Sequence, residues 1–167
     1  MNLEMKAIKF SEWASEETYC YQANVYLDGK PFAMVSNDGH GGCDRDYDHP
    51  KFKGDYREYR QTMKKIDDYF KSLPNTDPCE YFPEGIEQNF ERWCHDQVCT
   101  FLYRKDLKKA LKKNKVVQKK NKEGKMSLWD YDHRYTSETI KRSYPEAVIL
   151  NDLPEDEALT IWRETLG

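Results

Sequence analysis

Residues 18–36 read TYCYQANVYLDGKPFAMVS, and this stretch decides the class of the fold. Residues 18–27 are rich in aromatic and β-branched side chains, which favour strands. Asp28-Gly29 follows, and a type I′ hairpin turn needs the positive φ angles that this pair accepts. Residues 31–36 then form the partner strand. With a short strand pattern over residues 5–10, the stretch predicts a three-stranded antiparallel meander.

Helical periodicity marks the middle of the chain. Apolar residues recur at steps of three or four over residues 56–73, and again from about Pro83 to residue 102, which predicts two helices. The last third mixes element types, with strands predicted at 116–118, 126–131 and 147–150, and helices at 137–144 and after Pro154.

These elements predict an α+β fold in one compact domain over residues 1–167. It would contain the N-terminal three-stranded antiparallel meander, the central helices, and C-terminal strands with a final helix. The lysine-rich segment 104–125 is the only weak internal boundary.

The composition bounds the class of protein. The 167 residues are 38% hydrophobic and 14% aromatic, which is enough to build a hydrophobic core. The first ten residues carry three charged side chains and no apolar core, so we expect no signal peptide, and no apolar run is long enough for a membrane span. Five scattered cysteines favour reduced thiols, so a cytoplasmic location is expected.

The glycine-rich loop SNDGHGGC, residues 36–43, follows the meander. Its glycines permit positive φ angles and the close approach of another molecule. Successive backbone N–H groups could bind phosphate, although the spacing is neither that of a P-loop nor that of a dinucleotide motif. His40 could alternatively activate the Cys43 thiol as a nucleophile. A tight polar exit from the hairpin is the structural alternative.

An acidic stretch follows the loop. Asp44, Asp46 and Asp48 alternate, but a calcium loop would need glycine where His49 stands and glutamate where Asp55 stands. We therefore expect no metal and no cofactor. The predicted binding surface joins this stretch to the loop and comprises Asn37, Asp38, Gly39, His40, Gly41, Gly42, Cys43, Asp44, Asp46 and Asp48.

A cysteine and histidine cluster lies in the second predicted helix. His95 and Cys99 are four residues apart on one helical face, a spacing compatible with zinc, and Cys79 could add a ligand. The set is incomplete, which favours Cys94 and Cys99 as structural residues.

Positive charge is concentrated in the lysine-rich segment. Residues 104–125 contain eleven basic and two acidic side chains, whereas the whole chain has a net charge of −3. Such a helix face can bind the phosphate backbone of a nucleic acid in a salt-sensitive way. The segment offers few arginines and no interleaved aromatic rings for reading bases. The candidate residues are Lys105, Lys108, Lys109, Lys112 and Lys113.

Four stretches carry a resemblance: WASEETYC at residues 13–20, the glycine-rich loop, LKKAL at 107–111 and YPEAVILNDLP at 144–154. Their combination resembles small accessory proteins encoded by bacteriophages and mobile elements. The resemblance implies a protein that inhibits or redirects a host macromolecule, including defence systems, by protein–protein contact. It identifies no catalytic residue.

Three hypotheses follow. The first is a non-enzymatic binding protein in the bacterial cytoplasm, with a host protein as partner and no membrane association. The second is a small-ligand or phosphate-binding protein, or an enzyme, that uses the loop with His40 and Cys43. The third is backbone-directed nucleic-acid binding through the lysine-rich segment.

Overall fold

The computed structural model describes residues 1–78 and 80–166. They group into two compact units, one over Met1–Cys99 and the other from Thr100 onward. The α+β class is confirmed, as is the N-terminal meander. That the chain forms a single domain remains a prediction.

The first unit contains a four-stranded antiparallel sheet in which neighbours in sequence are neighbours in space. Asp28 and Gly29 have φ angles of 47° and 77°, as the predicted hairpin turn requires. The sheet has one strand more than predicted. The strands are β1 (Leu3–Ser11), β2 (Cys20–Leu27), β3 (Lys30–Asn37) and β4 (Arg45–Asp48).

Helix α1 (Tyr56–Lys71) begins at a capping box. The amide of Glu58 donates to Asp55 Oδ1 (2.8 Å) and the amide of Asp55 donates to Glu58 Oε2 (3.0 Å). The middle of the predicted apolar stripe, Tyr59, Met63, Ile66 and Phe70, is buried, whereas Tyr56 at its start is exposed. The Tyr59 ring packs on Phe32 of β3 with centroids 5.2 Å apart.

Helix α2 (Phe90–Lys113) begins seven residues later than Pro83, so that predicted start is wrong. Thr76 holds the preceding segment out of helical geometry, because its amide donates to the Ile86 carbonyl (3.0 Å) and its hydroxyl accepts from the Ile86 amide (2.8 Å). The Asn89 side chain then caps the helix by accepting from the Arg92 amide at 2.7 Å.

The second unit contains a three-stranded antiparallel sheet made of β5 (Lys115–Lys120), β6 (Met126–Tyr131) and β7 (Val148–Ile149). Strand β5 lies in the middle, in the order β6-β5-β7. Val116 and Val117 point to opposite faces of β5, and each belongs to a separate buried cluster. Residues of α2 beyond Cys99 belong to this unit. Its other helices are α3 (Ser137–Ser143) and α4 (Glu155–Leu166).

Candidate binding surface at the glycine-rich loop

Gly39 joins the glycine-rich loop to the segment before β2. Its carbonyl oxygen accepts hydrogen bonds from three successive amides, those of Glu16 (3.0 Å), Glu17 (2.9 Å) and Thr18 (3.2 Å). Gly39 has a φ of +91°, and a Cβ there would overlap the carbonyl oxygen of Ala14. A residue that has a positive φ, and that has backbone atoms of another residue where its Cβ would lie, must be glycine.

The side chain of Asn37 holds the rest of the loop in place through hydrogen bonds. Its side chain is 8% exposed and forms four hydrogen bonds, so both its amide oxygen and its amide nitrogen are satisfied. The oxygen accepts from the Thr18 hydroxyl (2.7 Å) and the Gly39 amide (2.9 Å). The nitrogen donates to the Gly42 carbonyl (2.8 Å) and to Asp44 Oδ1 (3.0 Å). Asn37, predicted to bind a partner, is therefore buried support for the surface.

Two of the three aspartates of the acidic stretch accept hydrogen bonds from buried tyrosines. The Tyr21 hydroxyl donates to Asp44, and the Tyr59 hydroxyl donates to Asp46 Oδ2 at 2.6 Å. Burial raises the pKa of the Asp44 carboxyl, although the hydrogen bonds from Tyr21 and Asn37 act in the opposite direction. Asp48 is exposed at the end of β4. The acidic stretch is thus mostly a strand whose carboxylates accept from tyrosines of the first unit.

His40 and Cys43 are both exposed, and no hydrogen bond joins them within the described part of the chain. His40 Nδ1 lies 3.2 Å from Glu16 Oε2 instead. The loop offers a phosphate few unused donors, because side-chain oxygens accept from the amides of Gly39, Gly41 and Asp44. Carboxylates also surround it, which disfavours an anion.

Trp13 is the feature of this surface that the sequence did not single out. It lies in the 3-10 turn Glu12–Ala14, and its side chain is 89% exposed. The Ser15 hydroxyl fixes this turn by donating to the Ser11 carbonyl (2.7 Å) and accepting from the Cys20 amide (2.8 Å). A tryptophan among polar and acidic residues, outside any apolar periodicity, was the available signal.

We use the name Trp13 surface for the exposed residues that surround this turn: Trp13, Glu16, Glu17, Asp38 and His40. They lie together because the Gly39 carbonyl binds residues 16–18 and because His40 contacts Glu16. The Glu17 side chain lies over Gly41. The first unit has 12 basic and 19 acidic residues, so its formal charge is −7.

The residues of the predicted cysteine and histidine cluster that the structure describes lie on α2. Cys94 is fully buried, and burial raises the pKa of its thiol. His95 Nε2 lies 3.3 Å from Cys99 Sγ, and the Tyr19 ring stacks on His95 at a centroid distance of 5.2 Å. Cys79 lies outside the described residues. Among residues 1–78 and 80–166, no group of three or more His, Cys, Asp or Glu side chains could hold a metal ion.

The lysine-rich segment belongs to the second unit, which has 15 basic and 11 acidic residues and a formal charge of +4. Lys108 Nζ lies 3.2 Å from Glu155 Oε1 of α4, and Arg104 pairs with the same carboxylate at 2.7 Å. The other candidate lysines of α2, all exposed, are Lys105, Lys109, Lys112 and Lys113.

The second unit also combines lysine with aromatic rings at one place, which we call the aromatic–lysine face: Lys119, Trp129, Tyr131 and Tyr144. Lys119 Nζ lies 3.3 Å from the Tyr144 ring centroid and 4.7 Å from that of Trp129. It also donates to the Tyr131 hydroxyl at 2.6 Å. Trp129 and Tyr144 are each 43% exposed. Because these rings come from β6 and the end of α3, the sequence of the lysine-rich segment gave no sign of them.

In the part of the chain that the structure describes, no helix combines the length and the apolar character needed to cross a bilayer. No family model, no curated protein and no solved structure matches this chain.

Proposed function

We propose that this chain is a non-enzymatic binding protein, and that its Trp13 surface binds a basic surface on a partner protein. The observation that carries the proposal is the 89% exposure of Trp13 on a turn whose backbone is fixed. Large exposed apolar side chains on rigid positions are typical of the few residues that supply most of an interface's binding energy.

The rigidity of the Trp13 surface supports this function. Gly39 and Ser15 fix the backbone on either side of the tryptophan, so little main-chain entropy remains to be lost on binding. Tryptophan also has only two side-chain torsions to order, which keeps the entropic cost of burying it low.

The charge around Trp13 specifies the chemistry of the partner. Glu16, Glu17 and Asp38 are exposed in the Trp13 surface, in a unit whose formal charge is −7, although Asp38 also pairs with Arg45 at 2.9 Å. A partner with lysines or arginines around an apolar pocket would complement both the ring and the carboxylates. Basic surfaces of this kind are common on proteins that bind nucleic acids.

The resemblance to bacteriophage accessory proteins supports the choice of target. It implies a host macromolecule in the bacterial cytoplasm, including the components of defence systems. An inhibitor that occupies a nucleic-acid-binding surface needs no catalytic group of its own.

Trp13→Ala should weaken binding of the partner about 30-fold or more, because a central tryptophan in an interface is worth about 2 kcal/mol or more. The tagged chain is used to capture a stoichiometric partner from bacterial lysate, and the dissociation constant is then measured with purified proteins. The unfolding midpoint should not change, because the side chain is 89% exposed.

Trp129→Ala is the matched control, since it removes another exposed tryptophan from the same chain. It should leave the affinity for the partner unchanged. Equal effects of the two substitutions, or an affinity that does not fall as salt concentration rises, would contradict the proposal.

The aromatic–lysine face favours a second candidate function, the binding of single-stranded nucleic acid. Aromatic rings exposed beside a lysine allow bases to stack while the ammonium group neutralises a phosphate. This combination was missing from the predicted lysine helix face. The Arg134 guanidinium lies 5.5 Å from the Tyr135 ring, and Tyr135 contacts Tyr131 edge to face, which extends the same chemistry.

For this second function, Trp129→Ala should weaken the binding of a labelled 12-nucleotide single strand about tenfold, because stacking contributes about 1–3 kcal/mol per base. Fluorescence anisotropy at several salt concentrations provides the measurement, and Trp13→Ala becomes the control. If both variants bind the oligonucleotide as the parent protein does, the face does not bind nucleic acid.

A further inference from the structure

A cleft of about 880 Å³ lies in the first unit, far along the sheet from the glycine-rich loop. Its walls are the turn between β2 and β3, residues 51–54 and the part of α1 from Glu58 to Lys65. The volume is that of small-molecule sites in proteins. Strand β3 begins beside the cleft and ends at Asn37, and its eight residues separate the two places by about 25 Å.

The cleft has a charge opposite in sign to that of the unit that contains it. Four lysines line it, Lys30, Lys51, Lys53 and Lys65, although the unit as a whole has a formal charge of −7. Within the described residues, none of these lysines has a side-chain hydrogen bond or an ion pair. The four lysines outnumber the two carboxylates that also line the cleft, so the lining has a formal charge of 4 − 2 = +2, and a bound anion would relieve the repulsion among the ammonium groups.

The two carboxylates that line the cleft are already used by backbone donors. Asp28 Oδ1 accepts from the Asn2 amide at 2.9 Å. Glu58 Oε2 accepts from the Asp55 amide at 3.0 Å, as part of the cap of α1. Neither carboxylate is paired with a lysine of the cleft, so both satisfy local donors while the ammonium groups keep their capacity to bind.

The backbone that presents Lys51 and Lys53 is fixed. The buried His49 donates its amide to the Phe32 carbonyl (3.0 Å), and its own carbonyl accepts from the Phe52 amide (2.7 Å). Its Nδ1 accepts from the Lys51 amide at 3.0 Å. The Phe52 ring packs on Phe32 at 5.7 Å. The two lysines therefore flank an anchored aromatic ring that lines the cleft.

We propose that this cleft binds a polyphosphate group. Lysine ammonium groups bind phosphate oxygens as compact point charges, and four of them suit a ligand with several negative charges. The helix start contributes no free amide of Glu58, because the capping box already uses it. The ligand could be an inorganic polyphosphate or a nucleotide, whose base would lie on the apolar lining formed by Phe52, Pro31 and Leu27.

Calorimetric titration of the whole chain with inorganic tripolyphosphate and with adenosine triphosphate tests the proposal. The double variant Lys51→Gln/Lys65→Gln should bind at least about tenfold more weakly, because two of four ammonium groups are lost. The matched control is Lys9→Gln/Lys64→Gln. Both of its lysines are exposed in the same unit and neither lines the cleft, although Lys64 is adjacent to Lys65. The control should bind as the parent chain does.

The two titrants also distinguish the sources of the phosphate. Tighter binding of the nucleotide supports a nucleotide site that uses the apolar lining, and equal binding supports a polyphosphate chain alone. Absence of binding by both titrants overturns the proposal, as does an equal loss in the two double variants. Tighter binding of a single-stranded oligonucleotide that competes at the cleft would overturn it in favour of nucleic acid. The unfolding midpoint of each variant is measured to check that the variant remains folded.

Discussion

Asn37→Asp should lower the free energy of unfolding at pH 7 by about 4 kcal/mol, measured by urea denaturation. The substitution keeps the size of the side chain and the acceptor for Thr18 and Gly39. It removes the two N–H donors that now bind the Gly42 carbonyl and Asp44. It also places a new carboxylate beside Asp44, whose own carboxyl is half-buried. Loss of two donors and repulsion between the two acids act in the same direction.

Asn89→Asp is the matched control for Asn37→Asp. Asn89 is exposed, and the structure records its side chain as an acceptor from the Arg92 amide (2.7 Å) at the start of α2. A carboxylate makes the same hydrogen bond and interacts favourably with the positive end of the helix dipole. We therefore expect a change within about 0.5 kcal/mol, toward greater stability. Similar losses in the two variants would show that Asn37 does not support the loop as described.

The elements that the sequence predicted well are those with a local cause. The hairpin at Asp28-Gly29 follows from the conformations that those two residues accept, and α1 follows from one apolar stripe. Strand β4 had no such signal, because its sequence RDYD lacks alternating apolar residues. It is a strand because β3 supplies its partner and because Asp46 accepts from Tyr59, a residue more than ten positions later.

The predicted start of α2 is wrong for a similar reason. Pro83 suits the first turn of a helix, but Thr76 pairs with Ile86 through two hydrogen bonds and fixes an irregular segment there. Gly85 has a φ of +73°, which a helix does not accommodate. Hydrogen bonds between residues ten positions apart therefore override the preference of proline for the first turn of a helix.

The candidate site shows the same division between local and distant causes. The sequence indicated that the glycines of the loop take unusual backbone conformations, and Gly39 and Gly41 both have positive φ. It could not indicate that Asn37 is buried, because that depends on Thr18 and Asp44 approaching from different parts of the chain. Nor could the sequence distinguish acidic residues that only face solvent from those that accept hydrogen bonds from tyrosines.

The exposure of Trp13 follows from how the loop is packed. Gly39 lies against Ala14, the residue after the tryptophan, so the tight contact holds the 3-10 turn close to the loop. The turn is too short to bury both its own backbone and a large side chain, and the ring is left 89% exposed. The Trp13 surface therefore depends on Gly39, although this glycine has no side chain of its own to present there.

Gly39→Ala should consequently reduce both stability and partner binding. A methyl group would overlap the Ala14 carbonyl oxygen and lie 3.0 Å from Cys20 Cβ, at a φ of +91° that residues other than glycine rarely adopt. Strain and displacement together should cost about 3 kcal/mol in the free energy of unfolding. The turn that carries Trp13 must also shift. The affinity for the partner, measured without denaturant so that the variant remains folded, should therefore fall.

Gly42→Ala separates this effect from a general intolerance of the loop. A Cβ at Gly42 meets no atom within 4 Å, and its φ is not positive, so we expect a stability change within about 0.5 kcal/mol and no change in affinity. Equal losses in the two variants would mean that the loop needs flexibility and that the Gly39 contact is not what holds Trp13. A loss of stability in Gly39→Ala with unchanged affinity would place the partner elsewhere than on the Trp13 surface.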